Sequence, residues 1–176
     1  MRLVKTEEEV RRIKKSTEVT EKAIQACIDA TELDVPDTKL LQIARRKIVD
    51  EGAWGWDHLT MNIGPSDPEA PGLGIPVTPN DIVRFDFGVV WEGYISDLSR
   101  GVVIGEEPNK AKEAMEHMIQ VQEFCVDNIK PGVPAKYIKE ESQKYLKSLT
   151  KRGFYLITGH SIGCLLYTSP SPRDRS

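Results

Sequence analysis

The stretch RFDFGVVWEGYISDLSRG, residues 84–101, constrains this chain more than any other. Val83, Phe85 and Phe87 alternate with Arg84, Asp86 and Gly88, the two-residue period of a half-buried strand. Glu92-Gly93 reads as a tight turn, so the chain returns antiparallel from Tyr94 onward. Such a hairpin has one strongly apolar face that other elements must cover. It also holds two carboxylates, Asp86 and Asp97, where mutual repulsion argues against them. If Trp91 pairs with Tyr94, Asp86 lies opposite Ser99, and Asp97 is its diagonal neighbour, roughly 7–8 Å away between Cα atoms. A one-residue bulge would instead set the two directly opposite, near ~5 Å. Either register aims both carboxylates into one space.

Like charges so placed need compensation. A proton held by one aspartate, an arginine (Arg84 or Arg100) or a divalent cation between the two would each supply it. Strand parity puts Arg100 on the face opposite Asp97, and Arg84 stands too far along to serve both. Metal binding and acid–base chemistry stay open together, beside the plain alternative of two aspartates on a solvated sheet face. The segment TGHSIG then adds His160 in a loop at a strand end, where ligands are usually supplied. Asp, Asp and His together offer oxygen and imidazole donors, which suit Mn, Fe, Co or Zn better than Mg or Ca.

The remaining sequence supplies the cover. Thr6 stands three before Glu9, a capping box that opens a helix running to about Thr31. Its expected buried stripe is Val10, Ile13, Thr17, Thr20, Ile24 and Cys27. Asp37, after Pro36, can cap a second helix that buries Leu40, Leu41, Ala44 and Ile48 and ends at Gly52. LTMNIG, 59–64, reads as a strand and 65–80 as a long loop. Asn109 is expected to cap a third helix carrying Ala111, Met115, Met118, Val121 and Cys125. A fourth, from about Pro134 to Arg152, would bury Tyr137, Ile138, Tyr145 and Leu149. FYLIT, 154–158, is a short apolar strand. Helix, helix, strand thus occurs twice, which suggests a duplicated α+β unit with helices covering one face of an antiparallel sheet.

Positive and negative residues are interspersed, with a formal net charge of −3. No charge block suggests a nucleic-acid arm or a membrane patch, and no apolar run nears the ~20 residues of a membrane span. The three cysteines lack metal-type spacing and fit reduced, mostly buried thiols, so the cytoplasm is the expected location. The last thirteen residues, CLLYTSPSPRDRS, have no hydrophobic period and resemble the translation of a sequencing adapter read through in frame. Residues 164–176 are therefore expected to be a non-native tail, and 1–163 a partial domain.

DIVRFDFGVVWEGYISDLSRGVVIG followed by TGHSIG resembles the pita-bread metallopeptidase family, which holds methionine aminopeptidase, Xaa-Pro aminopeptidase, prolidase and creatinase. Eleven residues separate Asp86 from Asp97, and sixty-three separate Asp97 from His160, both similar to the family's ligand spacing. GYISDLSR and KPGVPA match further family segments, and the similarity spans about 4–163. The resemblance implies an incomplete pita-bread fold and two divalent metal ions (Mn, Co, Fe or Zn). Asp86 would ligate one, Asp97 would bridge both and His160 would ligate the ion shared with Asp97. It implies hydrolysis of an N-terminal or Xaa-Pro peptide bond by a hydroxide bridging the metals. A peptide or small amide would be the substrate, and a homodimer the assembly of a full-length protein.

Two departures qualify this. The family completes its site with two glutamates and a second histidine further downstream, so the chain as written is expected to be inactive. It is also expected to be marginally stable, because the second half of the duplicated sheet would lack strands and leave apolar surface uncovered. Glu69 stands where peptidase members usually have a substrate-contacting histidine. That substitution keeps two alternatives in view: a creatinase- or ectoine-hydrolase-like enzyme cleaving a C–N bond of a small metabolite, and a catalytically dead binding homologue. His58 is not at the spacing of the missing histidine and is expected to be a loop or strand-end residue. His117 is expected on the solvent side of its helix. Trp54, Trp56 and Asp57 could wall a pocket but fit simple packing better.

Overall fold

In the computed structural model, which describes residues 4–64, 72–151 and 159–164, the hairpin forms the middle of a four-stranded antiparallel sheet. Strand β2 (Ile82–Trp91) is central; β1 (Gly55–Ile63) pairs along one side, and β3 (Tyr94–Ile95) and β4 (Leu98–Val103) along the other. Trp91 pairs with Tyr94 and Asp86 with Ser99, the unbulged of the two registers open from sequence. Glu92 and Gly93 both adopt left-handed backbone, φ 47° and 80°, as a two-residue turn matched to strand twist requires. Glutamate is costly in that conformation. Here Arg11 and Arg12 each bring a guanidinium nitrogen 3.3 Å from its carboxylate.

Helices α1 (Glu7–Asp29) and α2 (Asp37–Asp50) cover the apolar face. Leu59, Met61, Ile63, Val83, Phe85, Phe87 and Val89 alternate onto that face and form one core with Val19, Ala23, Ile24 and Cys27 of α1 and Leu40, Leu41, Ala44 and Ile48 of α2. Each Val, Leu, Ile, Phe or Met among them contributes about 1.5–3 kcal/mol relative to leaving it in water. The capping box is present: Glu9 N donates to Thr6 Oγ1 at 3.3 Å, and Thr6 N donates to Glu9 at 2.7 Å. The buried stripe differs from the sequence expectation at the first turns, where Val10 is 39% exposed. Ser16, Val19 and Ala23 are buried instead, because the hydroxyl of Ser16 donates to Val89 O at 2.7 Å and draws that flank against β2. Asp37 does not cap α2 either; it is the helix's first residue, and its buried carboxylate accepts from Leu73 N at 2.8 Å and Gly74 N at 2.7 Å. The side chain thus fastens the loop before β2.

Two compact units divide the chain: one runs to Glu107 and takes in the segment from Ser161, and the other runs from Pro108 to His160. The second unit holds α3 (Asn109–Asn128) and α4 (Ala135–Leu149), which meet through Phe124 and Tyr145, ring centroids 5.2 Å apart. Asn109 and Asp37 fail as caps alike: Pro108 occupies the α3 cap position, and Asn109 makes no side-chain cap bond. Among the described residues, the buried apolar side chains of this unit are Val121, Ile138 and Leu146. Met115, Met118 and Tyr137, expected inside, are 54%, 43% and 48% exposed, and His117 is half-buried. The strand expected at 154–158 lies outside the described residues. No helix of the described residues is long and apolar enough to cross a membrane.

Candidate metal centre

Asp86 is aimed by simple alternation. Its neighbours Phe85 and Phe87 are fully buried in the core, so residue 86 faces away from the helices. Asp97 is aimed by an interruption between β3 and β4. Ser96 is fully buried: its N–H donates to Val89 O at 3.1 Å, and its Oγ accepts from Val89 N at 3.1 Å and meets the Thr20 hydroxyl of α1. Pinning Ser96 beneath α1 turns the next side chain to the face that bears Asp86.

A third side chain joins them. Trp56 pairs with Val89, but His58 pairs with Gly88, so β1 bulges at Asp57. The bulge shifts the pairing of Gly55 and Trp56, while His58 keeps the register of 59–63, so alternation through Thr60 and Asn62 sets it on the face of Asp86. His58 Nε2 lies 3.7 Å from Asp86 Oδ1 and 3.7 Å from Asp97 Oδ1. Its Nδ1 lies 3.2 Å from Asp57 Oδ2. One donor atom from each of His58, Asp86 and Asp97 falls within 4.8 Å of the others. Their side chains are 23%, 48% and 27% exposed, so the cluster is open to solvent on one side.

Ser99 donates to Asp86 Oδ1 at 2.7 Å, fixing that carboxylate. The two arginines considered as counter-charges donate to backbone carbonyls, Arg84 to Gly64 O at 3.2 Å and Arg100 to Ser99 O at 2.8 Å. The Asp86 carboxylate beside His58 raises the imidazole above its usual pKa, with Asp57 and Asp97 adding to the effect and partial burial opposing it.

The expected loop or strand-end place for His58 is thus corrected: it stands inside β1, in the cluster. The signal was present, since counting back by twos from Asn62 and Thr60 reaches position 58. Missing it came from starting the strand at Leu59, four residues after its first residue, Gly55. His160 is exposed and belongs to the second unit. Glu69 lies outside the described residues. Trp54 is 73% exposed, and Trp56 lies under the Arg45 guanidinium, 5.6 Å from its ring centre.

A carboxylate pair on the open face of a helix-covered antiparallel sheet is the scaffold the sequence resemblance implied. The chain belongs to metallopeptidase family M24, which matches residues 11–175. It is 30% identical to an Xaa-Pro dipeptidase of Lactobacillus delbrueckii subsp. lactis, over 97% of this chain and 48% of that protein. It is 26% identical to an uncharacterized peptidase of Staphylococcus aureus, over 93% of this chain and 46% of that protein. The chain therefore spans about half the length of the curated relatives it matches. The prolidase of Pyrococcus furiosus superimposes with a TM-score of 0.89 at 24% identity, over 96% of this chain and 51% of that one. An X-Pro aminopeptidase of Thermotoga maritima gives 0.86 at 24% identity, over 99% and 51%. The α+β pita-bread fold expected from the sequence is the fold of this chain.

Proposed function

We propose that the protein is a divalent-metal-dependent hydrolase that cleaves an Xaa-Pro or N-terminal peptide bond. The observation that supports this most is the convergence of Asp86 and Asp97 on one open sheet face with imidazole nitrogen beside them. Two carboxylates this close are destabilising without a counter-charge, and the donor types suit Mn, Fe, Co or Zn. Asp86 and Asp97 would hold such ions, with Asp97 shared between two, and His160 would join them as the resemblance implies. When bound, the ions supply Lewis acidity and make water acidic enough to be a nucleophile near neutral pH. The chain's own contribution is positional. Ser99 holds the Asp86 carboxylate in one orientation, and the buried Ser96 fixes the backbone from which Asp97 projects. The relatives named for Xaa-Pro substrates support a peptide or small amide as substrate, and a cytoplasmic homodimer is part of the same reading.

The test is proline release from Xaa-Pro dipeptides by the whole protein supplied with Mn²⁺ or Co²⁺, beside Asp86→Asn and Asp97→Asn. Loss of turnover by about 10²–10³-fold in either variant is the expected result, as for removal of a group that stabilises developing charge. Equal turnover in all three proteins, or none on any Xaa-Pro or N-terminal peptide, overturns it.

A further inference from the structure

The trio of His58, Asp86 and Asp97 is assembled by three local features, none of which the core needs. The bulge at Asp57 breaks the β1–β2 register immediately before His58, which alternation through Thr60 and Asn62 sets opposite Gly88. A glycine at position 88, inside the central strand, costs about 0.5–1 kcal/mol relative to alanine. A Cβ there would stand 2.5 Å from His58 Nδ1 and 2.8 Å from Ser96 O, so only the bare backbone lets the imidazole lie across β2. Asp57, the bulged residue itself, places its carboxylate 3.2 Å from His58 Nδ1.

The ring's other nitrogen is directed at a gap and not at a partner. Nε2 stands 3.7 Å from one oxygen of each aspartate, too far for a hydrogen bond to either. Two donors each about 2.1 Å from one ion stand at most about 4.2 Å apart, so both separations are compatible with a shared cation. An imidazole that ligates through one nitrogen while its other N–H donates to a carboxylate is the usual construction of a histidine metal site.

We propose that His58 is a metal ligand through Nε2 and that Asp57 is the positioning residue that sets its tautomer and ring orientation. This rests on the reading above that Asp86 and Asp97 hold a divalent cation. It adds a nitrogen donor from β1 to a site that sequence spacing had built from the hairpin and His160 alone. A nitrogen donor shifts preference toward the later first-row metals, Co²⁺ and Zn²⁺ over Mn²⁺.

The experiment is titration of the purified chain with Co²⁺, followed by visible absorption, for the wild type, Asp86→Asn, His58→Ala, His58→Gln and Asp57→Asn. Circular dichroism would establish that each variant is folded. Expected are loss of the spectrum in D86N, at least a 10-fold weaker Kd with an altered band in both His58 variants, and a 10–100-fold weaker Kd with the band retained in D57N. A second readout uses the ¹⁵N-histidine chain with Zn²⁺, where the Nε2 resonance absent from H58A should shift on binding. Binding abolished by D86N while the two His58 variants match the wild type, or an unmoved His58 Nε2 resonance in a Zn²⁺-saturated chain, overturns the ligand assignment and leaves the carboxylate site standing. D57N equal to the wild type overturns the positioning role of Asp57. No uptake by the wild type, or uptake unaffected by D86N, overturns the metal reading and the assignment with it.

Discussion

The two units use similar helices to different ends. Helices α1 and α2 lie on a sheet whose every second residue is apolar, and among the described residues sixteen side chains close into one core. Helices α3 and α4 have amphipathic sequences of the same kind, yet among the described residues their buried apolar side chains are Val121, Ile138 and Leu146. A stripe at helical spacing therefore records a capacity for burial; which residues realise it depends on the surface opposite. In α1 that surface even rewrites the stripe, drawing in Ser16 because β2 offers it a hydrogen-bond partner.

The sharpest break between the units should come from truncating one apolar residue in each. Phe85 is fully buried, with its ring edge-to-face against Phe87 at 5.8 Å between centroids. Phe85→Ala is expected to cost about 3–5 kcal/mol in urea denaturation, from lost transfer energy plus the cavity left behind. Met115 on α3 is 54% exposed, and Met115→Ala should stay within about 0.5 kcal/mol. Comparable losses in the two variants would mean that the second unit has a core the described residues do not reveal.

Next in size is Gly88→Ala, at the junction of core and site. The added Cβ meets Ser96 O at 2.8 Å, a backbone atom held under α1, so the strand must shift; about 1–3 kcal/mol is expected. At Gly101, on β4, the nearest atom to such a Cβ is Val83 O at 3.5 Å, ordinary contact, and Gly101→Ala should be neutral or slightly stabilising. Equal melting curves for the two alanine variants would show that the His58 ring does not depend on a bare strand.

Gly88 also marks how far the sequence could be read. Alternation around it gave the faces of β2 and the turn at Glu92-Gly93, because a period of two leaves little freedom once one face is apolar. It left two registers open, of which the structure takes the unbulged one with Asp86 opposite Ser99. The same alternation brought Asp86 and Asp97 together. It did not reveal the bulge at Asp57, since a bulge is settled by which pairing best satisfies both strands and leaves no fixed residue pattern. His58 itself lay on the alternation of Thr60 and Asn62 and was missed because the strand was begun at Leu59. Capping was misjudged for a related reason: Asp37 and Asn109 are both good cap residues, but one bonds the 73–74 backbone and the other makes no cap bond, choices fixed by tertiary surroundings.

That difference between Asp37 and Asn109 can itself be measured. Asp37→Ala leaves the amides of Leu73 and Gly74 without their acceptor, and a loss of about 1–2 kcal/mol is expected by chemical denaturation. Asn109→Ala should change stability by less than about 0.5 kcal/mol, because no side-chain cap bond is removed. A cost at Asn109 as large as at Asp37 would contradict the contrast.

The smallest effect concerns charge, and here the units differ in what an ion pair joins. Glu51, just past α2, is bonded by Lys22 from α1 and by Lys47, whose Nζ lies 2.8 Å away. In the second unit Glu141 pairs with Lys144 three residues along the same helix. Hydrogen bonding from Lys22 first, and from Lys47 next, lowers the Glu51 carboxyl from its ordinary 4.5 to about 2. A carboxyl depressed on folding stabilises the native state above its unfolded value and loses that contribution as pH falls through the folded one. The stability tied to Glu51 should therefore be full above about 4.5 and fade toward about 2. The site is exposed, so solvent and salt screen the pair and the gain is small. Glu51→Gln is expected to lower Tm slightly at pH 6, with the gap from wild type closing by pH 2.5 and shrinking in 1 M NaCl. Glu141→Gln, which removes only a contact within one helix turn, should lower Tm less at pH 6. A gap at Glu51 that is unchanged between pH 6 and pH 2.5 would mean that its link between α1 and α2 is not electrostatic.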